Sequence, residues 1–151
     1  MHPQQTSMPI PLFDRFGGPL SDAGAGLPPA EALQLSLRRD LTRLFNVRNR
    51  LTVDEFLNGA PTSLDYGLPD TLHLSAQSAT DLQRWQQVIA RAISLYEPRL
   101  RQVAVKVAPA ADWPTLAWVE IAATAVLGSE HVQFHFEAGL ANRATPWARN
   151  D

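Results

Sequence analysis

Glu97-Pro98-Arg99-Leu100-Arg101-Gln102-Val103-Ala104-Val105-Lys106-Val107 is the stretch where one periodicity stops and another begins. Before it, Leu82, Trp85, Ile89, Ala92 and Tyr96 recur at spacings of three and four, which predicts an amphipathic helix. After it, Val103, Val105 and Val107 alternate with Gln102, Ala104 and Lys106, which predicts a half-buried strand ending at Pro109. Proline fixes its own φ and pushes the residue before it out of the helical region, so Glu97 and Arg99 sit on a short, stiff elbow. A carboxylate in the last turn of a helix faces the negative end of the helix dipole, a cost of about 0.3 kcal/mol or more that Arg99 is placed to offset.

Ser78 with Asp81 three residues on has the form of a capping box and marks the start of that helix. Beyond the strand, residues 116–126 admit a helix through their alanines, but Val119 and Ile121 favour a strand. The next segment decides it. Val132, Phe134 and Phe136 face one way and His131, Gln133, His135 and Glu137 the other, across a Leu127-Gly128-Ser129-Glu130 turn, as an antiparallel hairpin requires. Toward the N-terminus, Leu33, Leu37, Leu41, Leu44 and Phe45 predict a first helix over residues 30–46, entered through Pro28 and Pro29. Residues 51–57 read as one or two short turns, Gly59-Ala60-Pro61 as a break and Tyr66-Gly67-Leu68-Pro69-Asp70 as a turn. The fold class is therefore α+β: two main helices packed on a small, mostly antiparallel open sheet.

The 151 residues, 45% hydrophobic and 19% charged, suit one core. The domain spans residues 30–141 by this reading, after a Pro/Gly-rich arm over 1–29 and before a polar tail over 142–151. The arm holds six of the 12 prolines and four of the eight glycines, a composition that packs poorly. Within it, Leu12-Phe13-Asp14-Arg15-Phe16 is an apolar cluster suited to docking on a neighbour or on the domain itself. The absence of cysteine excludes disulfides and thiolate chemistry and fits a reducing, cytoplasmic setting. No stretch approaches the roughly 20 apolar residues of a membrane span, and the start lacks the layout of a secretory signal. A net charge of -2 without a basic run gives no footprint for nucleic acid or an anionic membrane, which leaves protein partners. Twelve of the 13 basic residues are arginine, which suits interface carboxylates and equally follows from composition bias.

No glycine-rich phosphate loop, His-Glu-x-x-His helix or Gly-x-Ser-x-Gly elbow occurs. His131, His135 and Glu137 share one strand face, where solvation accounts for them better than a metal, and no metal or cofactor is expected. Ser36, Ser63, Ser75 and His73 show no spacing that places a nucleophile beside a base. A glycosidase needs paired carboxylates, for which Glu97, Glu120 and Glu137 are the candidates in the strand-rich half. Glu97 suits that chemistry poorly, because a neighbouring guanidinium favours the charged carboxylate over the acid. From local chemistry alone, the elbow is equally an ordinary helix-ending proline with a surface ion pair worth under about 1 kcal/mol.

Taken in order, Leu12-Phe13-Asp14-Arg15, Ser36-Leu37-Arg38-Arg39-Asp40-Leu41, Leu44-Phe45-Asn46-Val47-Arg48, Tyr66-Gly67-Leu68-Pro69-Asp70 and Glu97-Pro98-Arg99-Leu100 resemble the TssE family of type VI secretion baseplate subunits, related to a contractile-phage baseplate wedge protein. The resemblance spans residues 12–138. It implies a non-enzymatic, cytoplasmic part of a contractile injection machine, docked where the baseplate meets the inner-membrane complex. Glu97, Pro98 and Arg99 would then grip the helical core bundle of the wedge subunits TssF and TssG, which assemble with TssK. The resemblance also implies an open sheet edge for strands of the sheath subunits TssB and TssC, with the strand of Val132, Phe134 and Phe136 as the contacting one. The proline-bearing segment 109–114 and the polar tail depart from the family pattern. A peptidoglycan glycosidase and a free-standing dimeric adaptor are the competing readings.

Overall fold

The computed structural model describes residues 26–140; the apolar cluster at Leu12–Phe16 and the tail over 142–151 lie outside them. The predicted stripe of leucines forms helix α1, Pro29–Asn46, which buries Leu33, Leu37, Leu41, Leu44 and Phe45 and starts with proline at its first position. A short helix α2, Val53–Asn58, follows, capped reciprocally by Thr52 and Glu55. A single 3₁₀ turn spans Ser63–Asp65. Helix α3, Ala79–Tyr96, buries Trp85, Val88, Ile89, Ala92 and Ile93. Its cap is half the expected box: Ser78 accepts from the Asp81 N–H, while the Asp81 carboxylate reaches back to the Ser75 N–H at 2.9 Å.

Three strands complete the chain: β1, Leu100–Pro109; β2, Ala117–Leu127; and β3, Glu130–Leu140. They form an antiparallel meander in the order β1-β2-β3, with the ambiguous alanine-rich segment as the central strand. The β2–β3 turn places Gly128 at φ 61°, which glycine adopts without steric cost. Along β2 the core face carries Ala117, Val119, Ile121, Ala123 and Ala125, opposite Leu140, Ala138, Phe136, Phe134 and Val132 of β3. Both long helices cover this face, α3 over β1 and α1 over β2 and β3. The Phe45 and Phe136 rings stack at 5.7 Å, joining α1 to the hairpin.

β1 departs from simple alternation. Leu100 pairs with Ala125 and Arg101 with Thr124, but Ala104 pairs with Ala122, so Gln102 and Val103 together oppose Ala123. This is a β-bulge, and Gln102 adopts φ 51° to make it. The extra residue lets Leu100 and Val103, three positions apart, both turn toward the core.

Candidate functional site

Glu97 is the residue at which α3 ends. Its N–H still bonds the Ile93 carbonyl at 2.8 Å, while its φ of -131° and ψ of 73° carry the chain into Pro98. That bend brings two side chains two positions apart back onto each other. Arg99 Nε donates to Glu97 Oε1 at 2.7 Å and Arg99 Nη2 to Glu97 Oε2 at 2.8 Å, a two-pronged fork. The remaining donors of Arg99 reach α1: Nη1 donates to Ser36 Oγ at 3.1 Å, and Nη2 also donates to Asp40 Oδ2. Ser36 and Asp40 are four residues apart and so project from the same side of the helix.

The elbow is thus a brace between α1 and the α3–β1 junction. The Glu97 side chain is 7% exposed, Asp40 18% and Arg99 24%, whereas Pro98 lies on the surface. Arg43 adds a second cation 3.9 Å from Asp40 Oδ1. Burial works against the charge on Arg99, but Glu97 and then Asp40 more than offset it and hold its pKa above the ordinary arginine value. The Tyr66 phenol completes the rim. Burial raises its pKa, Arg43 pulls it down, and Asp40 and Glu97 add to the rise.

The residues singled out by sequence therefore divide. Glu97 and Arg99 meet, but they face each other and α1 rather than outward, and a neighbour can reach Pro98 and the outer edge of Arg99. Ser36, unassigned from sequence, belongs to the cluster, and so does Asp40. Their only sequence signal is a four-residue spacing along one side of a leucine-rich helix. Phe134 and Phe136 are core residues, Phe136 against Phe45 and Phe134 beneath the Arg38 guanidinium at 5.7 Å. Any contact made by β3 would use its main chain and its outward side chains.

On the helix-free face, Glu120 and Glu137 are directly opposed across β2 and β3, and Lys106 of β1 opposes Glu120. His135 Nε2 lies 3.7 Å from Glu137 Oε1. Glu97 lies at the end of α3 and is bound to Arg99 through both oxygens. Among the described residues, no three His, Asp or Glu side chains gather as metal ligands would. Each outer strand yields one main-chain group to a helix glutamine: the Val107 N–H donates to Gln86 Oε1 at 3.1 Å, and Gln34 Nε2 donates to the Gln133 carbonyl at 3.3 Å. Neither outer strand pairs with a further strand among the described residues.

The model of the family described as baseplate wedge protein gp25 matches residues 31–128, a span that contains α1 from its third residue, α3, the brace and the first two strands. The chain belongs to that family. A search of curated proteins finds no match. Among solved structures, the chain is similar to a component of "The baseplate complex from the type VI secretion system", with 18% identity and a TM-score of 0.55 over 74% of this chain and 94% of that one. At that identity the likeness concerns the fold. No helix among the described residues is long and apolar enough to cross a membrane.

Proposed function

We propose that this chain is a non-enzymatic structural subunit of a type VI secretion baseplate, of the TssE kind, that binds wedge subunits and anchors the contractile sheath. The observation that carries this reading is the elbow: an exposed proline apex held on a charged cluster whose own groups are already paired. Preorganisation of that kind removes the ordering cost a partner would otherwise face. The partners under this proposal are TssF and TssG, assembled with TssK, and the contact surface is Pro98 with the outer edge of Arg99. Glu97 serves from inside, by fixing Arg99.

The sheath contact follows from the sheet. An open three-stranded sheet leaves main-chain groups on its outer strands that an added strand can pair with. Strands of TssB and TssC would supply that pairing, in the cytoplasm, where the baseplate docks on the inner-membrane complex. Co-expression of the full chain with TssF and TssG tests the reading. A stable complex that withstands gel filtration is expected; a chain that elutes alone refutes wedge binding.

A further inference from the structure

The two outer strands of the sheet differ in what they leave open. Main-chain groups point to either side of a strand at alternate residues, so the outward groups of β1 belong to the series of Val105, Val107 and Pro109. The Val107 N–H already donates to Gln86 Oε1 at 3.1 Å, Pro109 has no N–H, and the bulge at Gln102 breaks the series at its start. β3 is continuous over Glu130–Leu140 and holds no proline. The bond from Gln34 Nε2 to the Gln133 carbonyl, at 3.3 Å, fixes which groups face out: those of Gln133 and, in the same phase, of His131, His135, Glu137 and Gly139. That exposed glutamine is a slight obstacle to a strand laid along β3.

The flanks of this edge carry opposite charges. On the helix side, Arg38 stands one turn beyond Gln34, with its guanidinium 5.7 Å from the centre of the Phe134 ring and no ion pair among the described residues. Glu31, seven residues back along α1, lies roughly 10 Å away and leaves that charge standing. On the open face, Glu137 is directly opposite Glu120, and like charges so placed repel. Lys106 relieves Glu120 from the far side, while Glu137 has the His135 imidazole at 3.7 Å.

We infer that the outer edge of β3, and not that of β1, takes an extended strand bearing an acidic side chain toward α1, under Arg38, and a basic side chain on the open face, beside Glu137. Successive side chains of a strand point to opposite faces, so the two charges are an odd number of residues apart. Phe134 and Glu137 set that number at three. Main-chain pairing supplies affinity for any extended strand, and the two charges select among them. The inference rests on the strand-addition reading above and names its edge and its charge pattern.

NMR titration of the full chain tests it with two short synthetic peptides of alternating threonine and valine, one carrying Glu and Lys three residues apart and the other carrying Lys in place of that Glu. Slowed amide exchange at His135 and Glu137 but not at Val105 is expected, with the first peptide bound about fivefold tighter. Arg38→Glu should reverse that order and Arg38→Gln abolish it, each with unchanged thermal unfolding. Slowed exchange at Val105 instead, equal affinity of both peptides for all three chains, or binding of neither peptide overturns the inference. TssB and TssC are titrated separately: their binding alongside any of those results leaves the sheath reading standing. The expected peptide preference without sheath binding supports the edge assignment and refutes the sheath reading.

Discussion

Arg99 and Asp40 lie 59 residues apart in the chain, and their ion pair fastens the elbow between α3 and β1 to the flank of α1. Arg99 is shared between two carboxylates and a hydroxyl, so the cluster is satisfied without a partner. This has a direct consequence for experiments at the elbow. Reversing the charge of Glu97 or Arg99 would damage the fold as well as any interface.

Arg99→Ala leaves the Glu97 carboxylate buried with its fork removed and lowers stability by about 3 kcal/mol in chemical denaturation. Arg99→Lys keeps the charge but loses the planar fork, at about 1.5 kcal/mol. Equal stability of Arg99→Ala and the unaltered chain would show that the brace contributes nothing to folding.

Gly67 lets the connector lie close against the end of α1. Its φ is 116°, and a Cβ there would lie 2.5 Å from the Val47 carbonyl oxygen. The adjacent Leu68 N–H bonds that carbonyl at 2.9 Å, so the two segments cannot separate cheaply. Gly67→Ala is expected to cost at least about 2 kcal/mol in denaturant unfolding, well beyond the entropic gain of replacing a glycine.

The bulge at Gln102 makes a sharper prediction, because two changes at one position have different outcomes. Gln102→Pro cannot take up φ 51°, so the bulge is lost with no residue removed, and Leu100 turns away from the core at a cost of at least about 2 kcal/mol. Gln102→Gly keeps the bulge and relieves the left-handed backbone by about 1 kcal/mol. It also removes the acceptor that Thr124 Oγ1 uses at 3.3 Å, so the net change is close to zero. Equal destabilisation by both changes would mean that the bulge does not position Leu100.

The two tyrosines of the chain report on the connector without mutation. Burial raises both phenols above the ordinary value of 10.0; for Tyr96 the Asp65 charge adds to the rise and Arg91 opposes it. The folded state therefore favours the neutral phenol. The stability this contributes is complete below pH 10.0 and is lost as pH climbs through the raised values. Phenolate absorbance of the native chain should accordingly appear at higher pH than in denaturant. Coincident curves would place both rings in open solvent.

Much of the fold was legible because period is a local property. The stripe from Leu33 to Phe45 buries as its spacing indicates, and Phe134 and Phe136 face the core as alternation requires. The capping box of Thr52 and Glu55 also stands in the sequence, but residues 51–57 are too short for periodicity to mark a helix. The bulge left no such mark, since nothing in Gln102 announces a left-handed backbone. At the site, the stiffness of Glu97-Pro98-Arg99 followed from proline chemistry alone. The inward direction of its charges depended on Ser36 and Asp40, whose approach is set by tertiary packing of α1.

Under the proposed function, the braced elbow meets a neighbouring baseplate subunit at its exposed apex. A photo-cross-linking residue at position 98 of the full chain, in cells assembling the baseplate, tests it most directly, because Pro98 is on the surface and outside the charge cluster. A covalent adduct with TssF or TssG is expected. An adduct-free chain at position 98, in cells where the same chain is demonstrably incorporated into baseplates, would contradict it.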